Sequence, residues 1–597
     1  MKFAKKACAL FLSVLFILGA AGCSPKLPSL QDREAERQRF DEFVDRLPQE
    51  MMSDNDLNLN YMFEDPQKAG FEEKLLELPF ASPEDFKEIE KEATQLLKQL
   101  FSFRRENLTK AQQLTYDITN DYLTRAKLTL PYYYLDNNYL GSFLGFQAQL
   151  PLLLNNFSIN RQQDLDSYFH ILETLEDTFM QYADLEEQRQ KQGVGMCQAI
   201  LDKVIGQCDN FIKSSDIFLI DSINKKIEQT EFLPAAEKKA AKLKNETLLK
   251  TNLIGAYRAL RERLSNIHGR SDDRGLASLP EGREYYAALL RQTTGIDQSP
   301  GQIKLYLEQN IQSYISDLRN FLQSDSEYAG GDALGPPVYS DFSSAEETLD
   351  YLATRIFEDY PKVSGLTYTI SMVPDSMKDN FSPAAYMTCK IDTPLDDGQS
   401  IYINGEYDQS LFPTLAHEGY PGHMYQCTYF KSLQMPTVRY MMDYPGYTEG
   451  WATYVENNSG KYAPAGTPAE LRYANLNKRI TQCYVALWDI GIHYEGWTRA
   501  QFAQEVLKAF SMSEESLQQQ YDLILETPAN YMKYFLCGSY FQDLYDQASQ
   551  ELGEDFSPVE FHKVILETGP ASFDILQKQA DAYIEEKQAI GGASRAA

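Results

Sequence analysis

Apolar side chains recur at helical spacing along most of the chain. Leu253, Tyr257, Leu260, Leu264 and Ile267 follow one another at steps of three or four residues, which place them on one helix face. Helix-start signals recur as well, in which a Ser or Thr is followed three residues later by Asp, Glu or Gln. These pairs are Ser82 with Asp85, Thr109 with Gln112, Ser344 with Glu347, Thr467 with Glu470, Thr498 with Gln501, and Ser557 with Glu560. The pattern predicts a mainly α fold built as a large multi-helix body.

One stretch has the pattern of β-structure instead. β-Branched and aromatic residues cluster or alternate in the segments 366–373, 384–391 and 400–405, which turn residues separate. These segments predict a small β-sheet just before the segment LAHEGYPGHMYQ at 415–426. We therefore expect the sheet to lie beside the helix that carries this segment.

The clearest division of the chain is a loop. Residues 323–341 are rich in Gly, Pro and Ser, which are typical of turns and loops. This loop predicts an N-terminal helical region over 41–322 and a C-terminal region over 342–597, which carries the sheet and the HEGYPGH segment.

The N-terminus has the pattern of a targeting segment. Three lysines precede an apolar run at 7–21, which is too short to span a membrane comfortably and matches a secretory signal peptide. The run ends in Ala-Ala-Gly-Cys, which resembles a bacterial lipobox and implies a lipid on Cys23. We expect a signal peptide over 1–22, a lipid-anchored tether over 23–40 and a position outside the cytoplasm, at the bacterial cell membrane. Secretion without an anchor is the alternative.

Charge excludes one class of partner. The formal net charge is −30, whereas binding to nucleic acid needs a basic surface that meets phosphates. Cysteine content is less decisive, because the six cysteines after Cys23 are scattered and contain no C-x-x-C pair. Disulfides and buried thiols both fit this distribution.

The segment HEGYPGH at 417–423 is related to the zinc motif H-E-x-x-H. In that motif, two histidines four residues apart face one metal ion, and the glutamate acts as general base. His417 and His423 are six residues apart, so an ideal helix would separate them by about 120° around its axis and about 9 Å along it. The intervening Gly-x-Pro-Gly favours a break in the helix. A metal site therefore requires that the backbone leave α geometry between Glu418 and His423.

H-E-x-x-P-G-H is followed 26 residues after its second histidine by E-G-W-A at 449–452. This pair of motifs resembles the bacterial family designated domain of unknown function 885. Its members are large, mostly helical proteins, often secreted or lipid-anchored, and are similar in design to the glutamate-liganded zinc peptidases. The resemblance implies one Zn²⁺ bound by His417, His423 and Glu449, with Glu418 as general base in a zinc-peptidase-like cleft.

The resemblance extends to two further segments. Asp489 and His493 match a D-x-G-x-H pattern that is followed by a tryptophan. Asp489 is expected to orient a ligand imidazole, or His493 to donate to a substrate carboxylate or oxyanion, and a structural pair is the alternative. Tyr534 lies in a looser match to the family pattern P-G-Q-x-x-x-Y-x-x-G and is the implied donor to the oxyanion, and a packing residue is the alternative.

The predicted strand at 400–405 has a possible binding role. Glutamate-liganded zinc peptidases often hold an extended peptide along an edge strand beside the motif helix. Tyr402 and Asn404 are the nearest candidates for such β-augmentation, and a purely structural strand is the alternative.

Two hypotheses of function follow. The first is a zinc-dependent peptidase that hydrolyses short peptides outside the membrane, with Glu418 activating the water. The second is a non-catalytic cell-surface binding lipoprotein that retains a peptidase-like scaffold. Glu418 favours the enzyme, because a binding protein needs no base beside its metal ligands.

Overall fold

The structure is a computed structural model that describes residues 30–213, 218–324, 337–373, 378, 382–395 and 399–596. The predicted signal peptide, Cys23 and most of the predicted loop at 323–341 lie outside these residues. The helices up to that loop are α1 Leu30–Met51, α2 Asn58–Met62, α3 Pro83–Leu100, α4 Lys110–Ala126, α5 Tyr133–Asp136, α6 Phe146–Asn156, α7 Gln162–Lys191, α8 Gln198–Lys213, α9 Leu219–Gln229, α10 Ala235–Leu248, α11 Ile254–Leu264, α12 Gly282–Thr294 and α13 Pro300–Ser324.

The helices after the loop include those that carry the candidate site. They are α14 Ala345–Arg355, α15 Phe412–Glu418, α16 His423–Ser432, α17 Thr437–Met441, α18 Pro445–Asn458, α19 Pro468–Ile490, α20 Arg499–Val506, α21 Glu514–Glu526, α22 Cys537–Leu552, α23 Pro558–Thr568 and α24 Phe573–Ala596. Single π-helical turns at Leu249–Leu253, Gly491–Glu495 and Met532–Leu536 continue from or lead into longer helices.

The predicted helix starts are confirmed by the caps. Each predicted Ser or Thr accepts a hydrogen bond from the backbone N–H three residues on, at the start of α3, α4, α14, α19, α20 and α23. In α3, α4, α19 and α20 the third residue also accepts the N–H of the cap, which completes a capping box. The fold is therefore mainly α, as the sequence predicts.

The predicted sheet is present and has three strands. They are β1 Tyr368–Met372, β2 Ala384–Met387 and β3 Gln399–Ile403, in the order β1-β3-β2. β3 pairs in parallel with β1 and antiparallel with β2. The backbone N–H of Tyr386 in β2 donates to Oε2 of Glu418 at the end of α15, at 2.8 Å. The sheet therefore lies beside the motif helix, as expected.

Packing does not follow the predicted division between 41–322 and 342–597. One apolar cluster combines Phe40 of α1 and Ile303 of α13 with Trp451 and Ile565 from the C-terminal region. α13 packs along α19, so the two regions share this core. A second cluster is built largely from α6 to α11. α1 begins at Leu30, so the described part of the predicted tether at 23–40 is helical and ends in the buried Phe40.

Two further features concern the cysteines and the hydropathy of the helices. The six cysteines among the described residues are free thiols, and four of them are buried. In the described part of the chain, no helix is both long enough and apolar enough to cross a membrane.

Candidate metal centre

The helix breaks where the metal hypothesis requires it to break. α15 ends at Glu418 and α16 begins at His423. Gly419 (φ −106°, ψ −96°) and Gly422 (φ −80°, ψ −136°) have non-helical dihedrals, and the bond between Tyr420 and Pro421 is cis. This confirms the predicted departure from α geometry, and His423 comes back beside His417.

Close packing explains the two glycines of this turn. A Cβ on Gly422 would lie 1.7 Å from the carbonyl oxygen of His417, and a Cβ on Gly419 would lie 2.3 Å from Cδ2 of Leu349. The indole Nε1 of Trp451 donates to the carbonyl oxygen of Pro421 at 2.9 Å. The E-G-W-A motif on α18 therefore supports the turn in addition to supplying Glu449.

Three candidate ligands converge in this place. Nε2 of His423 lies 3.2 Å and Nε2 of His417 lies 3.7 Å from Oε2 of Glu449. The two imidazoles are 4.8 Å apart between ring centroids and nearly perpendicular, at 85°. One ligand atom from each of the three residues lies within 4.8 Å of the other two.

The donor set fits a zinc ion. Two ligands bound tetrahedrally at about 2.0–2.2 Å from zinc lie roughly 3.3–3.6 Å apart, close to the two separations at Glu449. Oε2 of Glu449 is buried, and no well-directed N–H or O–H among the described residues meets it. A buried carboxylate oxygen without a donor is costly unless a cation binds there. Two imidazoles and one carboxylate also form a donor set typical of catalytic zinc.

Glu456 is a residue of this centre that the sequence analysis missed. Its Oε2 lies 3.1 Å from Nδ1 of His417, and its Oε1 accepts from Nζ of Lys478 at 2.5 Å. This contact leaves Nε2 of His417 facing the other ligands. Glu456 follows Glu449 by seven residues on α18, which is about two helical turns and places both on one face. This seven-residue spacing is the sequence signal that could have predicted Glu456.

The carboxylates make the centre attractive to positive charge. Burial alone would lower the pKa of His417, but Glu449, Glu456 and Glu418 outweigh it and raise this pKa to about 10. Burial would raise the pKa of Glu456, but Lys478 and His417 lower it to about 2. Burial likewise opposes ionisation of Glu449, whereas the two imidazoles and Lys533 hold its pKa well below the usual range.

Glu418 lies beside the ligands without joining them. Its Oε1 is 4.0 Å from Nε2 of His417, and its Oε2 accepts the N–H of Tyr386. One carboxylate oxygen is thus held by β2 while the other faces the ligand cluster. The side chain is 13% exposed, so water can reach it.

Tyr534 lies at the metal centre, as predicted, and the adjacent Lys533 lies there too. Its ring stacks on that of His417, with centroids 6.3 Å apart at 23°. Burial and the carboxylate of Glu449 raise the pKa of its phenol, which keeps it protonated as a donor. Nζ of Lys533 lies 3.8 Å from Oε1 of Glu449. The sequence carried no signal for Lys533, because a lone lysine beside a candidate tyrosine is common.

Asp489 and His493 do not occupy the predicted positions. Asp489 accepts hydrogen bonds from the hydroxyl of Tyr286 at 2.5 Å and the N–H of Ala529, whereas Glu456 is the residue that contacts a ligand imidazole. Nδ1 of His493 accepts the N–H of Leu276, and its Nε2 donates to the carbonyl oxygen of Ile524. Both ring nitrogens of His493 are therefore committed to main chain, and the pair is structural.

The pair still supports the segment that carries Tyr534. Ala529 has φ +62° and starts the turn into the π-helical segment Met532–Leu536, which carries Tyr534. Asp489 holds this turn through the N–H of Ala529. Burial raises the pKa of Asp489 to about 7 and lowers that of His493 to about 4, which favours the neutral forms of both.

The predicted binding strand is also corrected. Tyr402 belongs to β3, the central strand, whose two edges already pair with β1 and β2. The N–H of Asn404 donates to the carbonyl oxygen of Pro383, so this main chain is engaged as well. Neither residue can pair with an added strand. β2 is the edge strand beside α15, and Tyr386 directs its N–H away from β3 towards Glu418.

Comparisons with known proteins agree with this fold. A lipoprotein candidate from Colwellia psychrerythraea has a similar structure, with a TM-score of 0.79 at 17% identity over 92% of this chain and 99% of that one. A lipoprotein candidate of unknown function from Shewanella oneidensis gives a TM-score of 0.59 at 14% identity, with the same coverage. No curated protein matches the sequence. The model of the family described as "Bacterial protein of unknown function (DUF885)" matches residues 66–579, so the chain belongs to that family.

Proposed function

We propose that this protein is a zinc-dependent peptidase that hydrolyses peptide bonds of short peptides, with Glu418 as general base. One observation carries the proposal: His417, His423 and Glu449 converge on one point, and a fourth side chain, the carboxylate of Glu418, stands beside them outside the ligand set. A site that only bound metal would not need this additional carboxylate.

Zinc, when bound, supplies Lewis-acid polarisation of the scissile carbonyl and lowers the pKa of water. Groups of the protein transfer the protons and orient the general base. Glu418 accepts the proton of the attacking water through Oε1 and returns it to the leaving amine. The N–H of Tyr386 holds the other oxygen of Glu418 and fixes the direction of the carboxylate.

Tyr534 and Glu456 complete the proposed machinery. The phenol of Tyr534, stacked over His417 and kept protonated by burial, can donate to the oxyanion that forms when the carbonyl is attacked. Glu456 fixes the ring of His417 through Nδ1 and strengthens it as a ligand.

The outer edge of β2 is the proposed place for the substrate main chain. Residues alternate along this strand, so Ala384 and Tyr386 direct their backbone groups away from β3. The N–H of Tyr386 is engaged by Glu418, so a peptide would pair with the outward groups of Ala384 and the carbonyl oxygen of Tyr386. No described strand pairs with this outer edge. An extended peptide that added there would lie along the motif helix and place a peptide bond beside Glu418.

We also propose that the protein is anchored to the bacterial membrane through a lipid on Cys23 and works outside the cytoplasm. The N-terminal sequence supports this, because a signal-like run ends in Ala-Ala-Gly-Cys. The two structural neighbours are described as lipoprotein candidates, which is consistent with such a location. Palmitate labelling of the protein, and its loss in Cys23→Ala, tests the anchor.

The proposed activity is tested by metal content and hydrolysis measured together. The purified protein should bind about one zinc per chain, and His423→Ala should lose it. Glu418→Gln should keep the zinc and lose hydrolysis of a peptide library. A protein that binds zinc but cleaves no peptide would be a cell-surface binding lipoprotein, and full activity in Glu418→Gln would remove Glu418 from the mechanism.

A further inference from the structure

A cavity of about 440 Å³ reaches Lys533, whose Nζ lies near the candidate ligand Glu449. Its wall is mostly apolar and includes Leu135, Val194, Met196, Leu276 and Leu289. This volume is in the range of sites for small ligands. The cavity therefore has the size and lining to hold one or a few apolar side chains.

Lys533 links this cavity to the metal centre. Its side chain lines the cavity, and its Nζ lies 3.8 Å from Oε1 of Glu449. Two wall segments are fixed by the buried pair described above, because Leu276 donates its N–H to His493 and Asn530 follows Ala529, which Asp489 holds. A ligand in the cavity can thus reach Lys533, which contacts the candidate metal ligand Glu449.

Arg270 is an unpaired cation in the cavity wall. Its Nε donates to the carbonyl oxygen of Gly195 at 2.6 Å. Among the described residues, its two Nη groups make no hydrogen bond, and no carboxylate lies within ion-pair distance of them. Burial lowers the pKa of Arg270, although Asp272 and Glu186 act in the opposite direction from beyond ion-pair distance. A half-buried guanidinium with unused donors is a site for an anion.

The other charged groups of the wall already have partners, and that of Lys533 is Glu449. Arg274 pairs with Asp272 at 2.6 Å, and Arg189 pairs with the buried Glu186 at 2.7 Å. Asp136 accepts from the hydroxyl of Tyr285, and burial raises the pKa of this carboxyl. Glu526 likewise accepts from the N–H of Ser142 and has a pKa raised by burial. Arg270 is left as the group that can bind an incoming carboxylate.

We propose that this cavity binds the free C-terminal carboxylate of the peptide, with Arg270 as its partner. The inference rests on the proposed peptidase function and adds its specificity: the protein removes short C-terminal segments. A guanidinium can bind a carboxylate through two parallel hydrogen bonds, which fixes the direction of the chain. The apolar wall then surrounds the last side chains, and the scissile bond lies on the Lys533 side, towards the metal ligands.

Binding of three probes tests the proposal without turnover. Zinc-loaded full-length Glu418→Gln is titrated with N-acetyl-Ala-Leu-Leu, with its C-terminal amide, and with the amide of N-acetyl-Ala-Leu-Glu. The free acid should bind roughly tenfold or more tightly than either amide, because it alone places a charged terminus on Arg270. Equal binding of all probes, absence of binding, or equal binding of the free acid and the glutamate-containing amide overturns the proposal.

Arginine variants inside and outside the cavity wall are compared in this background. Arg270→Gln should reduce the affinity for the free acid to that for the amide, and Arg270→Lys should restore part of the difference. Arg258→Gln removes the same charge at an exposed position of α11 outside the wall, so it should change affinity less than twofold. An equal loss in Arg258→Gln would contradict a specific role for Arg270.

Hydrolysis by the wild-type protein separates this inference from the function on which it rests. Preferential cleavage of the free acid supports both. Equal cleavage of acid and amide leaves the peptidase in place and overturns the C-terminal specificity. Selective binding of the free acid by a zinc-loaded protein that cleaves no probe overturns the peptidase and leaves a carboxylate-binding site at Arg270.

Discussion

Nδ1 of His417 lies 3.1 Å from Oε2 of Glu456, a residue two helical turns beyond Glu449 on α18. One helix therefore supplies both a candidate ligand of the metal and the carboxylate that orients another ligand. Lys478 on α19 holds the second oxygen of Glu456 at 2.5 Å, so the orientation of His417 depends on three helices.

Glu456→Gln should weaken zinc binding roughly 10- to 100-fold while leaving the ligands in place. The amide can still accept a hydrogen bond from Nδ1 of His417, but it no longer supplies the negative charge that makes the imidazole a better ligand. Competition with a chromogenic chelator measures the affinity. Glu554→Gln, at an exposed glutamate, serves as the control and should leave it unchanged. Identical affinities in the two variants would show that Glu456 has no part in binding.

Gly422→Ala should abolish zinc binding and lower the thermal midpoint by several degrees. Its Cβ would lie 1.7 Å from the carbonyl oxygen of His417 and 2.5 Å from that of Ala416. Both oxygens belong to the backbone, so relief of the clash requires a costly displacement of the main chain. The turn that returns His423 to His417 would have to open. Metal analysis and a melting curve on the same sample check this result.

Gly206→Ala is the matched control for that variant. Gly206 lies inside α8, and a Cβ there would meet nothing within 4 Å. Alanine should therefore stabilise this helix by about 0.5–1 kcal/mol, because it restricts the unfolded chain more than glycine does. A native zinc content in Gly422→Ala would mean that the close approach at this turn is not needed for the site.

The sequence predicted those parts of the site that depend on local spacing. The break between Glu418 and His423 follows from glycine and proline within a histidine pair that an ideal helix cannot bring together. The capped helix starts depend on the same kind of short-range pattern. Glu456 also follows a local rule, the seven-residue repeat after Glu449, which the sequence analysis did not apply.

Errors arose where the answer depends on contacts distant in the chain. The i,i+4 spacing of Asp489 and His493 predicts a shared face, but it does not say whether that face meets the metal ligands or Leu276 and Ile524. His493 also lies in a π-helical turn, which changes the direction of its side chain. Strand order is non-local too: β3 is central because β1 and β2 pair on opposite sides of it.

Tyr534→Phe should lower kcat by about 10²- to 10³-fold and leave the zinc content and the thermal midpoint almost unchanged. The substitution removes only the phenolic donor, and its ring can still stack on His417. Steady-state kinetics on a cleaved peptide give the measurement. Tyr531→Phe is the control, because Tyr531 stacks on Phe535 in the same segment and should keep its kcat. A wild-type kcat in Tyr534→Phe would show that Tyr534 does not donate to the oxyanion.

His493→Gln should cost about 1–3 kcal/mol of stability but retain zinc binding and most of kcat. The two ring nitrogens of His493 lie at different distances from its Cβ, whereas the amide oxygen and nitrogen of glutamine diverge from one terminal carbon. The amide therefore cannot align with both the N–H of Leu276 and the carbonyl oxygen of Ile524, which leaves one buried polar group poorly paired. Urea unfolding and kinetics on the same preparation separate the two effects. A kcat reduced a hundredfold in a well-folded variant would restore a catalytic role to His493.

The same variant should also change how stability depends on pH. Burial lowers the pKa of His493 from 6.5 to about 4 in the folded protein, so the unfolded chain binds this proton first as pH falls. The free energy of unfolding therefore decreases between pH 6.5 and 4 by up to about 3 kcal/mol on account of this residue. The pKa of Asp489 is raised to about 7, so this residue changes the free energy of unfolding in the opposite direction over much of the same pH range. The contribution of His493 is therefore measured as the difference in stability between wild type and His493→Gln.

Urea titrations from pH 7 to 4.5 give that difference. Compared with wild type, His493→Gln should be less stable at pH 7, and this deficit should shrink towards pH 4.5, because glutamine takes up no proton in either state. His268→Gln is the control: His268 is exposed, so the variant should follow the wild-type curve across the whole range. A deficit that stays constant with pH would mean that His493 is not held neutral by its buried contacts with Leu276 and Ile524.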